Sequence, residues 1–289
     1  MKSFTTIALL REVLADERNQ GHTISFVPTM GNLHEGHLAL IRAARQEADK
    51  VVVSIFINPM QFGANEDLDA YPRTLDKDTQ MITDAGADYL FAPTAREMYP
   101  HGMSTQITIP VLSNVLCGAS RPGHFQGVTT ICTKLFNIVQ PDVALFGEKD
   151  FQQLTIIRHM VEDLYVPVRI VGVQTGRAED GLALSSRNMY LTAEERKIAP
   201  ILYRNLETAK NRILAGERNY FNVEEDALDS LRKAGFRPDY FHISNRATLE
   251  APTPADEKLI ILAAAQLGKS RLIDNCQLDL APPNTRLKD

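Results

Sequence analysis

The chain has 289 residues, 44% hydrophobic and 23% charged, which is enough for a sizeable buried core in one or two domains. Its formal net charge of −5 gives no electrostatic case for nucleic acid or an anionic membrane as partner, so an anionic substrate must be met by local positive charge. Cys117, Cys132 and Cys276 are odd in number and form no CxxC, which argues against a disulfide framework or a cysteine zinc site; with a short apolar N-terminal stretch and no run of about 18 apolar residues, they predict a cytoplasmic protein.

Ile7, Leu10, Val13 and Leu14 recur at helical spacing within residues 6–20, and Gly21 ends that helix. A strand over Ile24–Val27 runs into Pro28-Thr-Met-Gly-Asn-Leu-His-Glu-Gly-His37, and helical periodicity resumes over 38–48. Val51 to Ile57 is a β-branched run with almost no polar content, as in a strand covered on both faces. It ends at Asn58-Pro-Met-Gln61, and residues 65–73 read as a loop rich in charge and turn formers. A helix over 75–85, a short strand Tyr89–Phe91, an edge strand over 106–109 before Pro110, and an ordered loop over 113–126 follow. Then come a helix over 128–139, a strand over 142–146 ending in Gly147-Glu-Lys-Asp150, a helix over 151–164 and a strand over 168–173. This alternation predicts an α/β, Rossmann-like doubly wound parallel sheet over residues 1–176. Residues 177–191 form a polar loop, and Thr192-Ala-Glu-Glu195 resembles a capping box. Helices to about 215 and over 223–234, then strands over 240–244, 259–266 and 271–275 with a hairpin turn at Gly268, predict a smaller α+β C-terminal domain over 177–289.

Polar side chains gather after three predicted strands, where an open α/β sheet places its ligands. His34 and His37 follow a glycine turn and precede a helix. A helical zinc motif needs histidines four apart with a glutamate base, and here they are three apart with no third ligand. An isolated pair of this kind is usually two loop histidines satisfied by backbone. Strand, glycine turn and helix start shift the balance towards phosphate, met by imidazole N–H groups and the helix N-terminus. There is no P-loop and no GxGxxG after a strand. In the second cluster, Gly147 permits close backbone approach, Lys149 offers a compact charge for phosphate and Gln153 offers an amide to a small polar substrate. Asp150 suits a ribose hydroxyl or Mg²⁺, or simply caps the following helix. Leu184-Ser-Ser-Arg187 supplies two hydroxyls and a guanidinium to a leaving pyrophosphate, though such a loop alone reads as solvated. Asn58 and Gln61, flanked by Met60 and Phe62, suit a small hydroxy acid.

Taken together, PTMGNLHEGH, FINPMQFG, RPGHFQGV, FGEKDFQQL and GLALSSRN resemble the pantothenate synthetase (pantoate–beta-alanine ligase) family of the HxGH nucleotidyl-transfer group. The resemblance implies ATP- and Mg²⁺-dependent condensation of D-pantoate with β-alanine through a pantoyl-adenylate, releasing AMP and diphosphate. It implies catalytic roles for His37, His34, Lys149 and Arg187, and an ATP site over Met30, Gly31, His34, His37, Gly147, Lys149, Asp150, Gly176, Leu184, Ser185, Ser186 and Arg187. The family often has an aliphatic residue where this chain has Gly176. Gln61, Gln153 and Asn58 are implied for pantoate and β-alanine, with Mg²⁺ carried mainly on the ATP phosphates and Asp150 as its one candidate protein ligand. Arg121 and His124 match family residues near the pocket. The resemblance also implies a homodimer and a C-terminal domain that closes over ATP. A nucleotidylyltransferase that leaves AMP on its product, and a nucleotide sensor without turnover, are the rival readings.

Overall fold

A computed structural model of the chain describes residues 1–63, 68 and 71–280. Most of the charged loop expected at 65–73 lies outside the described residues. In chain order the elements are β1 (Lys2–Phe4), α1 (Ile7–Asn19), β2 (Ile24–Thr29), α2 (Glu35–Glu47), β3 (Lys50–Ile55), α3 (Leu75–Asp84), β4 (Tyr89–Phe91), α4 (Ala95–Met98), α5 (Cys117–Ser120), α6 (His124–Val139), β5 (Val143–Gly147), α7 (Phe151–Asp163), β6 (Arg169–Val173), α8 (Ala193–Ile198), α9 (Ile201–Leu214), α10 (Tyr220–Lys233), β7 (Arg237–Asn245), β8 (Lys258–Leu267) and β9 (Ser270–Asp279).

Among the described residues β1 to β6 form a parallel sheet in the order β1-β4-β3-β2-β5-β6, the expected α/β architecture. Its strands are apolar on both faces because both are covered. Val27, Val53, Leu90 and Leu145 point to one side, into a core with Leu38, Ile41 and Ala44 of α2 and Ile82 of α3. On the other side Phe136 of α6 meets Phe26 and Phe146 edge-on, with ring centroids 6.4 and 6.3 Å apart. Winding proceeds from β2 to β3 in one direction and from β2 to β5 in the other. The crevice between the carboxyl ends of β2 and β5 is therefore the topological switch point.

The chain divides into two compact units: residues 1–176 with Leu184–Ser186, and Arg177–Ala183 with residues from Arg187 onward. The second unit has a separate antiparallel sheet, β7-β8-β9, with α9 and α10 packed through Leu206, Ile213 and Leu231 against Phe241, Ile261 and Ala263. Gly268 and Lys269 form the two-residue turn of the β8–β9 hairpin, since Leu267 pairs with Ser270. The Thr192–Glu195 capping box is present, and Pro200 divides the long helix expected beyond it into α8 and α9. Arg177 grips Asp274 through both terminal nitrogens, at 2.6 and 2.9 Å, and lies 3.7 Å over the Tyr203 ring.

Several local expectations differ from the structure. The edge strand expected at 106–109 does not form; Ile107 instead donates its N–H to Thr130 Oγ1 and accepts from Thr129 Oγ1 at its carbonyl. α6 starts four residues earlier than its periodicity suggested, and β1, only three residues long, escaped notice. None of the three cysteines is in a disulfide.

Candidate active site

β2 delivers the chain to a left-handed turn at Gly31 (φ 80°) and Asn32 (φ 51°), after which His34 takes extended backbone and becomes the N-cap of α2. The two histidines form a reciprocal capping box. His34 Nδ1 accepts the Gly36 N–H at 3.1 Å, and His37 Nδ1 accepts the His34 N–H at 3.3 Å. An Nδ1 that accepts is unprotonated, so in each neutral ring the proton sits on Nε2. The backbone satisfaction anticipated for a bland histidine pair is thus real, and it leaves both Nε2–H groups as donors. The rings lie 4.2 Å apart. Burial, then its partner His34 and Lys149, push His37 down to about 3 against the opposing pull of Asp150; burial and then Lys149 lower His34, with Asp150 and Glu35 opposing. Both are neutral donors at physiological pH.

Gly36 has a specific reason to be glycine. A Cβ there would stand 2.8 Å from His34 Cε1 and 3.0 Å from Nδ1, so the ring occupies the place of the missing side chain.

β5 supplies the other half. Gly147 leads into a short 3₁₀ turn, Glu148–Asp150, that carries Lys149, and Gln153 follows on the first turn of α7. Asp150 makes no side-chain cap to α7, so the capping alternative does not hold; its carboxylate lies 4.0 Å from Lys149 Nζ. His34, His37, Gly147, Lys149, Asp150, Gln153, Gly176 and Leu184 line one cleft of about 140 Å³. Where the family often has an aliphatic residue, Gly176 receives the Leu184 side chain: a Cβ on Gly176 would be 3.3 Å from Leu184 Cδ1. Leu184 also donates its N–H to the Gly176 carbonyl. Ser185 and Ser186 belong to the first unit, whereas Arg187 belongs to the second, where its carbonyl accepts from Ser270 Oγ.

Met30 and Gly31 line a different, larger cavity of about 470 Å³, walled mostly by apolar residues such as Ile55, Phe56 and Pro93. Size therefore does not pick out the site: Arg73 and Asp78 also line the larger cavity, but the histidine pair, Lys149, Asp150 and Gln153 converge in the smaller cleft. Gln61 forms a third cluster. Its Oε1 accepts from Asn58 Nδ2 at 3.1 Å and its Nε2 lies 2.9 Å from Met30 Sδ. Asn58 is 1% exposed, and its amide is fully engaged: Nδ2 with Gln61 Oε1 and the Gly127 carbonyl, Oδ1 with the Tyr99 hydroxyl and the Met60 N–H. With one bond made at each end of its amide, Gln61 retains an Nε2–H donor for a ligand and one accepting position on Oε1. Arg121 donates to His124 Nε2 at 3.0 Å, which leaves His124 Nδ1–H to donate to the Gln61 carbonyl at 2.9 Å.

Sequence reasoning missed Asp78 and Tyr99. Asp78 is 1% exposed and accepts the backbone N–H groups of Asn32 and Leu33. Its signal was an acidic residue four before Ile82 on the buried stripe of α3. Among the described residues, no group of three or more His, Cys, Asp or Glu side chains is placed to hold a metal ion, and no helix is long and apolar enough to cross a membrane.

Residues 2–277 match the family model described as pantoate-beta-alanine ligase. A protein of Azotobacter vinelandii named pantothenate synthetase is 55% identical over 97% of this chain and 100% of its own length, and one from Pseudomonas fluorescens strain Pf0-1 is 54% identical over 98% and 100%. Among solved structures, the pantothenate synthetase of Thermus thermophilus superposes with a TM-score of 0.90 at 46% identity, covering 98% of this chain and 100% of that one. The pantoate-beta-alanine ligase of Francisella tularensis, complexed with beta-gamma ATP and beta-alanine, gives 0.81 at 34% identity, with 96% and 97% covered.

Proposed function

The chain belongs to the pantoate–beta-alanine ligase family, and from that premise we propose how its own residues carry out the reaction. The activity is that of an ATP-dependent, amide-forming ligase that makes pantothenate. A carboxylate is a poor acyl donor to an amine and has to be activated. The pantoate carboxylate attacks the α-phosphorus of ATP, the bond to the bridging oxygen breaks and diphosphate leaves. The free amine of β-alanine then attacks the acyl carbon, the mixed anhydride opens, AMP departs and the amine loses a proton. Such chemistry needs positioning and neutralisation of phosphate charge more than an enzyme nucleophile.

The observation that supports the assignment is the tautomer of the histidine pair. With both Nδ1 atoms held by backbone N–H groups, His34 and His37 present Nε2–H donors in the same cleft as Lys149. These three stabilise the phosphates, and Ser185, Ser186 and Arg187 add to them. Gln61, through its remaining Nε2–H, and Gln153 hold the oxygens of D-pantoate. Asn58, fully engaged by protein, orients Gln61 in place of contacting substrate. Gly147 and Gly176 form backbone walls for ATP, and Met30 and Gly31 shape the loop beside it.

The residues lining the cleft fit Mg²⁺ brought in on the phosphates, with Asp150 the carboxylate that faces it; the ion would supply further neutralisation of phosphate charge. The proposal includes two domains, 1–176 and 177–289, a cytoplasmic homodimer, and D-pantoate, ATP and β-alanine as its small-molecule partners.

The test is exchange of labelled diphosphate into ATP with D-pantoate and Mg²⁺ but no β-alanine. Exchange that depends on pantoate is expected. Its absence at saturating pantoate would overturn the adenylate route.

A further inference from the structure

The loop that leads into the histidine pair contains an anion-binding turn, and the protein occupies that turn itself. Gly31 and Asn32 are consecutive left-handed residues, at φ 80° and 51°. A turn of this kind aims successive backbone N–H groups at one point, the arrangement that cradles phosphate in many nucleotide sites. Here the Asn32 N–H donates to Asp78 Oδ2 at 2.8 Å and the Leu33 N–H to Asp78 Oδ1 at 2.9 Å, while Thr74 Oγ1 donates to Oδ2 at 3.0 Å. The carboxylate is 1% exposed, on the first turn of α3, and lies 3.0 Å from where a Cβ on Gly31 would stand. The next residue is His34, the N-cap that holds His37 in place.

We infer that Asp78 is a positioning residue for the reaction: its carboxylate fills the backbone anion site at Asn32 and Leu33, fixing the first turn of α2 so that nucleotide phosphates meet the imidazoles of His34 and His37 and not the loop amides. The inference rests on the reading of the two histidines as phosphate donors. It separates two jobs that a glycine-rich strand-to-helix loop usually combines. The backbone is spent on an internal anion, and the ligand is left to side chains whose proton-bearing nitrogen is dictated by the same capping geometry. A carboxylate is suited to this because the two N–H groups meet separate oxygens, and an amide would turn its NH2 donor towards one of them.

Two measurements test this. In the Asp78→Asn variant, kcat for pantoate-dependent diphosphate exchange is expected to fall by about 10²-fold, the scale of a small misplacement of catalytic groups, with KM for D-pantoate within about twofold. Imidazole ¹⁵N spectra should show His34 and His37 leaving the single Nε2–H form they hold in the wild type. Thr74→Val, which leaves both backbone donors on the carboxylate, is expected to retain the exchange rate within about threefold and the wild-type tautomers. Wild-type kcat and tautomers in Asp78→Asn would overturn the inference.

The second measurement uses the unmutated protein and so stands whether or not Asp78→Asn folds. When a non-hydrolysable ATP analogue binds with Mg²⁺, the imidazole Nε2 signals should move, while the amide protons of Asn32 and Leu33 stay protected from exchange and unmoved. Amides exposed to solvent before the analogue binds, or shifting with it as the imidazoles do, would overturn the inference. Imidazoles that do not move, beside amides that remain protected, would instead overturn the phosphate role of the histidines.

Discussion

Gly36→Ala separates the chemistry of the site from the stability of the helix that carries it. The backbone at Gly36 is helical, so alanine is allowed there. The added Cβ would sit 2.8 Å from His34 Cε1, about 0.6 Å inside the 3.4 Å at which ordinary contact begins, and the flexible partner, the His34 ring, must yield. Swinging away breaks the bond from the Gly36 N–H to Nδ1, a loss of about 1 kcal/mol for an N-cap. Replacing glycine by alanine inside a helix returns a similar amount, about 0.8–1 kcal/mol. The two effects nearly cancel, so the melting temperature should move by less than about 4 °C. Catalysis has no such compensation. The ring that set the tautomer and aimed Nε2–H is displaced, and losing one such donor costs about 10²–10³ in rate. Thermal melts and pantoate-dependent diphosphate exchange on the same preparation provide the assay. Near-wild-type exchange with an unchanged melt would show that the His34 position is not needed, and the donor argument would fail with it.

Three further outcomes follow from the geometry. Between pH 6.5 and about 3 the unfolded chain binds a proton that buried His37 refuses, so stability should fall on acidification with a slope approaching about 1.4 kcal/mol per pH unit; urea unfolding at pH 7 and pH 5 measures it, and His37→Gln should flatten the dependence. Equal stability at the two pH values would refute the burial argument. Glu17 is held low by the Tyr89 hydroxyl, then by His22 and Lys50, so it stabilises the fold above its unfolded pKa and loses that contribution as pH falls; Glu17→Gln should cost about 1.5–3 kcal/mol at pH 7 with diphosphate exchange unchanged, because Lys50 and Tyr89 begin β3 and β4 at the end of the sheet away from the cleft. Gln61→Glu replaces the donor face with a carboxylate aimed at an acid, and should raise KM for pantoate by at least about 10²-fold; an unchanged KM would remove Gln61 from the acid site.

Much of this molecule can be read along the chain. Val51 to Ser54 announce a strand buried on both faces, and Val27 and Phe146 mark where strands end in polar side chains, because a parallel sheet forces that pattern locally. His34, His37, Lys149 and Gln153 could be picked out together since each lies just past such an end. What escaped depends on partners distant in sequence. Asp78 looks like a helix-stabilising acid in a charged run, and only the fold brings Asn32 and Leu33, some 45 residues away, onto its carboxylate. Asn58 reads as a polar pocket residue until Tyr99 and Gly127 are seen to use up its amide. The strand expected at 106–109 has the right alternation, but Thr129 and Thr130 satisfy the Ile107 backbone in place of a neighbouring strand.

The strand order carries a consequence for how the site comes into being during folding. β2 meets β3 across a short connection, Thr23 contacting Asp49 at a separation of 26 residues. It meets β5 only across 118, as in the bond from Ile24 to Asp142. Closing the longer span costs about 1.3 kcal/mol more in chain entropy, close to a tenfold difference in the odds of the ends meeting. The histidine loop belongs to the early-forming side of that divide, and Lys149 with Gln153 to the late one. A chain emerging from the ribosome can therefore shape the His34–His37 cap long before it owns a cleft, and nucleotide affinity should arise in a single late step, when β5 docks beside β2.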